Sequence, residues 1–370
     1  MIVFVHLLND RTGSPRVLAS AITALIGSGQ SARLFIGSGG SGCLDEVSIP
    51  TTRYWYVRGT HRLITLFTYF ISQASLFIRL AGARNLPRDA VLYVNTLLPF
   101  GAALYGALTR RRVVYHIHEV SLSPAPLKWF LTGVARFTAD RLIYVSNYHR
   151  SVLPIQSVPS VVVYNALDEE FARKARDTVY EHRRSGCFNV LMLASLRDYK
   201  GVPELLALAG SLQSRKDIHF HLVANDQEAD VQRYFHGLTP PPNLTIHSRS
   251  QNPGDHYAKA SLVLNLSRPD LWVETFGLTL LESMAYGVPV IGPPVGGPVE
   301  LINNGQEGFL IDCRDPDSLT KKVLELADDE AQCNRLSTAA RRQAARFSYP
   351  VFAQALRDVV DFDRESNNSM

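Results

Sequence analysis

Short, nearly continuous apolar runs rich in β-branched residues recur along the chain, and stretches with helical spacing separate them. Residues 2–8, 33–36, 91–95, 113–118, 142–146 and 161–164 read as buried strands. A second series follows at 190–194, 219–224, 244–247, 262–266, 289–291 and 309–311. Runs lacking polar alternation belong to strands covered on both faces, which means parallel sheets flanked by helices. Two such series predict an α/β chain of two doubly wound, Rossmann-like domains facing a central crevice, with ligands at the carboxyl ends of the strands. The first domain is expected over 1–167 and the second over 168–347, with the polar stretch 168–186 as a linker. Residues 349–362, within a C-terminal segment 348–370, predict a last helix that packs back on the first domain. The longest apolar stretch lies between Arg62 and Arg79, sixteen residues interrupted by Thr, Ser and Gln. That is short of the ~20 needed to span a bilayer. A helix buried in the first domain is the first expectation. The alternative is an interfacial helix, with Arg58, Arg62, Arg79 and Arg84 on lipid phosphates.

Composition changes little by itself. With 370 residues, 46% apolar and 19% charged, the chain is neither disordered nor fibrous and is long enough for two cores. The formal charge of +4 conceals an asymmetry. Residues 1–165 carry 16 basic and 6 acidic side chains, and the remainder carries 22 and 28. A basic half joined to an acidic half suggests that one domain meets an anionic surface. All but one of the early cations are Arg, whose planar fork suits phosphate. Cys43, Cys187, Cys313 and Cys333 are scattered without metal spacing, which predicts unpaired thiols in a reducing cytoplasm. The first eight residues lack a basic leader and a cleavage site and read as a strand.

The sharpest chemical signal is Glu274-Thr-Phe276-Gly277-Leu278-Thr-Leu-Leu-Glu282, followed by Gly287, Gly296 and Gly297. Gly277 opens a helix that Gly287 closes, so the backbone N–H groups near Phe276, Gly277 and Leu278 form a site for a diphosphate. The two carboxylates stand eight residues apart. That is about 12 Å if the segment is fully helical, enough to hold hydroxyls at opposite ends of a nucleotide sugar. Gly37 to Gly42 matches G-x-G-x-x-G, but no helix or acid follows at the required spacing, and it reads as a flexible loop. Asp315-Pro316-Asp317 reads as a helix cap rather than a metal pair.

These residues resemble glycosyltransferase family 4, retaining enzymes of the GT-B fold. The resemblance covers most of the chain and is strongest over 190–311. It implies that Glu282 binds the ribose and Glu274 the donor sugar. It also matches the stretch Ala194-Ser195-Leu-Arg197-Asp-Tyr-Lys200-Gly201, where the family shows Gly-Arg-Leu and then Lys-Gly. Lys200 then neutralises the leaving diphosphate. Ser195 stands at the usual Arg position among the donor-binding residues. Arg197, two residues on and on the same side of an extended strand, is expected to supply the missing cation. In the first domain, Gly13, Ser14 and Arg16 open a helix after the first strand. They form an acceptor site for anions or hydroxyls, or a plain strand-to-helix turn. His118 followed by Glu119 also matches the family, and implies that His118 contacts the transferred sugar and Glu119 the acceptor.

The resulting expectation is a metal-independent, cofactor-free hexosyltransferase at the inner membrane face, acting in surface-polysaccharide or lipopolysaccharide assembly. Its partners are a nucleotide sugar, a glycan or polyprenyl-diphosphate-linked acceptor and an anionic membrane surface, with no nucleic acid. A sugar-nucleotide epimerase of the same fold, or a non-catalytic nucleotide-sugar-binding or glycan-binding subunit, stays open as a rival.

Overall fold

The uninterrupted apolar runs pair side by side and in the same direction, as strands buried on both faces must. In the computed structural model, which describes residues 1–27, 29–120 and 122–361, the chain divides into two units. Unit 1 is Met1–Asn165 with the segment from Pro350 onward, and unit 2 is Ala166–Tyr349. Unit 1 contains the strands β1 (Ile2–His6), β2 (Ala32–Gly37), β3 (Thr51–Tyr54), β4 (Val91–Asn95), β5 (Val113–Ile117), β6 (Arg141–Tyr144) and β7 (Ser160–Val162). Their order in the sheet is β3-β2-β1-β4-β5-β6-β7, all parallel. Its helices are α1 (Gly13–Ile26), α2 (Arg62–Ala81), α3 (Phe100–Leu108), α4 (Ala125–Thr138) and α5 (Asn147–Val152). The strand β3 has no counterpart in the apolar pattern. It lies at the sheet edge, where Thr51 and Arg53 face water and only Tyr54 is buried.

Unit 2 contains β8 (Phe188–Ala194), β9 (Ile218–Ala224), β10 (Leu244–His247), β11 (Leu262–Leu264), β12 (Val290–Gly292) and β13 (Gly308–Leu310), in the parallel order β10-β9-β8-β11-β12-β13. Its helices are α6 (Glu169–Asp177), α7 (Val202–Ser211), α8 (Glu228–Tyr234), α9 (Gly254–Tyr257), α10 (Leu278–Ala285), α11 (Pro298–Leu301), α12 (Pro316–Asp328) and α13 (Glu330–Ala344). The last helix, α14 (Tyr349–Asp361), hydrogen-bonds within unit 1, where Arg357 donates to the Ala24 carbonyl and Gln30 to Asp361. Residue 362, with which the expected helix ends, lies outside the described residues. Asp315 caps α12 by accepting from the Ser318 N–H, with Pro316 at the first helical position.

Three expectations need correction. The polar stretch 168–186 is not a linker. Asp168 caps α6, and Phe171 on that helix packs edge-on against Tyr257 and Tyr286 inside unit 2. A helix with one aromatic and one alanine turned inward carries little apolar signal. Second, the glycine loop after β2 is not free. A Cβ on Gly42 would fall 2.2 Å from the Asp10 carbonyl oxygen, so only glycine allows the two loops to touch. Asn9 Oδ1 and the Asp10 carbonyl then accept the N–H groups of Leu44 and Cys43. Third, α2 is buried on one side only. About 28% of its apolar stretch is covered, and its inward side mixes Tyr69, Leu76 and Leu80 with Ser72 and Gln73.

One cation ties the outer layer of unit 2 together. Arg341 on α13 donates to the carbonyls of Ala175 and Thr178 at the end of α6 and of Ala285 and Tyr286 at the end of α10. Replacing it strands four acceptors. The Arg341→Met variant is expected to lose about 3 kcal/mol of unit 2 stability. The check is urea unfolding followed by Trp272 fluorescence with Trp55 and Trp129 changed to Phe. An unchanged midpoint would mean that water replaces the guanidinium without cost.

Candidate functional site

In each unit the chain runs outward through three strands and then returns to the other side of its first strand. Neighbouring loops diverge at such a reversal and leave room for a ligand. In unit 2 the reversal lies between β8 and β11. Lys200 follows β8 and Glu274 follows β11, and there they meet, with Lys200 Nζ donating to Glu274 Oε2 at 2.9 Å. Burial raises the Glu274 pKa. The Lys200 charge, with hydrogen bonds from Lys200, Asn265 and Ser267, outweighs that effect and holds the carboxyl below its usual value. The Lys200 ammonium also lies 5.3 Å from the Trp272 ring centre, and Trp272 stacks on Tyr199. Thus the cation sits between a carboxylate and an aromatic face, held in the position where an incoming anion would compete for it.

Glycine packing fixes the loop that carries Glu274. The Gly297 N–H donates to the Glu274 carbonyl, and a Cβ on Gly297 would lie 2.3 Å from the Phe276 Cα. The loop therefore rests directly on backbone and delivers Gly277 as N-cap of α10. Intrahelical bonding in α10 starts with the Leu280 and Leu281 N–H groups on the Gly277 carbonyl, so the N–H groups of Leu278 and Thr279 ahead of them can hold an anion. Helical structure starts only at Leu278, so the Glu274–Glu282 spacing is a loop plus one helical turn rather than a continuous helix. Glu282 faces inward at 1% exposure, and its Oε2 accepts from the Tyr257 hydroxyl at 2.7 Å.

Ser195 and Arg197 differ from the strand-alternation argument. The strand β8 ends at Ala194, and the chain then turns, with the Arg197 N–H donating to the Ser195 carbonyl. The exposed Arg197 side chain turns back to the Leu196 carbonyl, so its placement next to the diphosphate site does not follow from strand geometry.

In unit 1 the reversal lies between β1 and β4, and it gathers the other expected residues. Asn95 at the end of β4 donates to the Ser14 carbonyl and accepts from His118 Nε2 at 2.9 Å. His6 Nδ1 lies 3.2 Å from the Asn95 carbonyl oxygen. Gly13 is the exposed first residue of α1, with Ser14 and Arg16 on the same first turn. Glu119 accepts from the N–H groups of Leu97 and His118, and its own carbonyl accepts from His149 Nε2. Burial pushes Glu119 up to about 6, against the opposing pull of the N–H groups it accepts. Burial also lowers His118 well below its usual value, aided by His116, His149 and His6 nearby. At neutral pH His118 is therefore a neutral hydrogen-bonding group beside a carboxylate.

Sequence reading missed Asn95, Tyr257 and Trp272. Asn95 had a usable signal, a polar residue closing an otherwise apolar strand. Tyr257 reaches Glu282 across 25 positions and had none.

Comparisons with known proteins bear on the fold and the family. Residues 181–343 match the family model described as Glycosyl transferases group 1. N-acetyl-alpha-D-glucosaminyl L-malate synthase of Bacillus anthracis is 26% identical over 289 residues, covering 74% of this chain and 74% of that protein. D-inositol 3-phosphate glycosyltransferase of Thermobispora bispora is 41% identical over 86 residues, 23% of this chain and 20% of that protein. Among solved structures, Anabaena HepE in complex with UDP and glucose superposes with a TM-score of 0.77 at 19% identity, covering 97% of this chain and 99% of that one. Sucrose-phosphate synthase from Thermosynechococcus elongatus gives 0.75 at 17% identity, over 100% and 99% of the two chains. The fold is GT-B, two parallel-sheet Rossmann-like domains, and the relatives are glycosyltransferases.

The buried histidines of unit 1 set an acid limit. Burial lowers His6 and His149 to about 4 and His116 to about 3. Below pH 6.5 the unfolded chain takes up these protons and the folded one refuses them, so stability falls from pH 6.5 towards 4. Glu119 protonates first in the folded state and opposes the trend between pH 6 and 4.5, as one group against several. Thermal midpoints of unit 1 are expected to drop across that window, and His149→Asn to reduce the slope by about one proton.

Proposed function

We propose that the chain is a retaining, metal-independent family 4 glycosyltransferase. It moves a hexosyl group from a nucleotide sugar to a lipid-linked glycan acceptor in surface-polysaccharide assembly. The observation that carries this reading is the Lys200–Glu274 contact at the reversal between β8 and β11, beside the N-terminus of α10. An isolated surface ion pair contributes little to stability. At a strand reversal, next to unsatisfied helix N–H groups, the same pair is a switchable site for a diphosphate and a sugar. HepE, the matched structure of highest TM-score cited above, holds UDP and glucose, which supports a uridine nucleotide sugar as the first donor to test.

In this reading the diphosphate displaces Glu274 as the partner of Lys200. The freed carboxylate accepts hydroxyls of the donor sugar, and the N–H groups of Gly277 and Leu278 take phosphate oxygens. Phe276 is buried beneath them and fixes the loop. Arg197 swings from the Leu196 carbonyl to the phosphates, and Ser195 lines the same turn. Glu282, oriented by Tyr257, takes the ribose hydroxyls. The bond from the anomeric carbon to the diphosphate oxygen breaks and its electron pair leaves with the diphosphate, neutralised by Lys200 and the helix N–H groups. The acceptor hydroxyl attacks from the same face, and its proton passes to the departing phosphate oxygen. Unit 1 recruits the acceptor through Gly13, Ser14, Arg16 and Glu119, and neutral His118 hydrogen-bonds the transferred sugar.

Lys200→Ala and Glu274→Gln are each expected to lower kcat/KM for the donor by about 100-fold or more, with melting temperature little changed. Turnover is measured by mass spectrometry on a panel of nucleotide sugars with a short polyprenyl-diphosphate glycan, in chelator. Wild-type rates in both variants would overturn the site. A new sugar nucleotide formed without acceptor would replace transfer with epimerisation. Loss of turnover in chelator would remove metal independence alone.

A further inference from the structure

The helix α2 is apolar on both sides. Its buried side packs Tyr69, Leu76 and Leu80 into the core of unit 1 and also carries Ser72 and Gln73, with Gln73 accepting the Gly101 N–H and Ser72 donating to the Tyr69 carbonyl. Its exposed side, from Leu63 to Ile78, is wholly apolar. Leu63, Phe67, Phe70, Ile71 and Ile78 fall within about 120° of the circumference at 100° per residue. Phe67 is 67% exposed and Ile78 68%. A helix packed on one side normally turns polar residues to water on the other.

The stripe continues on α4. The Phe70 and Phe130 rings lie 5.7 Å apart, and both pack on Phe100. Beyond Phe130, α4 exposes Trp129 and Phe137, the latter at 84%. On the other flank the Trp55 N–H donates to Ser75 of α2, which places that exposed indole beside the stripe. One continuous apolar surface therefore runs over β3's exit, α2 and α4. Its rim is cationic. Arg58, Arg62, Arg79 and Arg84 are exposed around the ends of α2 and Arg136 on α4, and the sequence has no acidic residue between Glu46 and Asp89 or between Glu119 and Asp140.

We infer that this face docks on an anionic lipid bilayer, with Phe67, Phe137 and Trp129 entering the headgroup region and the arginines on lipid phosphates. A protein partner or a second copy of unit 1 would have to match an apolar surface framed by one sign of charge. The second copy fails on its own rim, which repels itself. A bilayer with acidic headgroups offers both components, and aromatic side chains suit the depth at which they would sit. Spanning is excluded for α2 in this packing, because Ser72 and Gln73 are already bonded inward. The surface also leads to the expected acceptor residues. Tyr69, on the inner side of α2, donates to the Leu98 carbonyl, and the adjacent Leu97 N–H donates to Glu119 beside His118. This deepens the lipid-linked acceptor reading and rests on it only for the identity of what is delivered there.

The test is flotation of the full chain with vesicles of phosphatidylcholine alone or with 30 mol% phosphatidylglycerol, at low and high salt, without donor. Flotation only with the anionic vesicles, at least ten-fold weaker at high salt, is expected. The double variant Phe67→Ser with Phe137→Ser, and separately Arg58→Ser with Arg62→Ser, should each lower it ten-fold or more at an unchanged melting temperature. No flotation of the wild type overturns docking, as does binding that survives both variants. A dimer by sedimentation that dissolves in the Phe variant would assign the face to a second copy instead. Turnover on a short soluble acceptor should be the same in all these variants, so loss of docking and loss of transfer are read separately.

Discussion

Everything chemical in this chain depends on the place where a parallel sheet changes direction. Strands β8 and β11 are paired neighbours, but the chain leaves them towards opposite edges of the sheet, so the loops at their ends separate. The gap would be a defect if it were not filled. In unit 2 it is filled by a salt bridge that brings Lys200 and Glu274 from 74 positions apart, with Trp272 as a wall. In unit 1 the corresponding gap is filled by Asn95, His6 and His118. Both sheets thus place their most polar buried groups where topology leaves space, and the two fillings differ in kind. One is ionic and exchangeable, the other neutral at physiological pH.

Much of the fold was legible because buried parallel strands leave an unbroken apolar record. The strand that failed to show, β3, is an edge element whose outward residues answer to water. The same limit hid α6, whose packing rests on Phe171, and misplaced α2, since apolar content alone does not say which side of a helix is covered. Apolar residues usually mark the inside, and α2 carries them on both sides. Among site residues, Glu274, Lys200 and the glycines after β12 were legible because loop chemistry is local. Gly297 must be glycine for the Phe276 backbone to lie against it. For Arg197, strand alternation gives no orientation, because β8 ends at Ala194. Tyr257 and Asn95 matter through long-range contacts, which spacing does not encode.

The two units divide their work by charge. Unit 1 concentrates arginine around an apolar face and keeps its interior histidines neutral, whereas unit 2 is acidic overall and reserves its cations for specific tasks. Lys200 waits on a carboxylate. Arg215 and Arg183 instead serve structure, pairing with Asp217. The formal charge of +4 for the whole chain is the sum of a basic first half and an acidic second half.

Arg341 also has an electrostatic consequence. A helix of aligned peptide dipoles behaves as if it carried roughly half a charge of opposite sign at each end. By hydrogen-bonding the Ala285 and Tyr286 carbonyls, the guanidinium cancels the negative pole of α10. The positive pole at Gly277 then acts without its counterpart. The field that α10 directs at the loop of Glu274 is therefore set in part from the far end of the helix, by a side chain that never reaches the site.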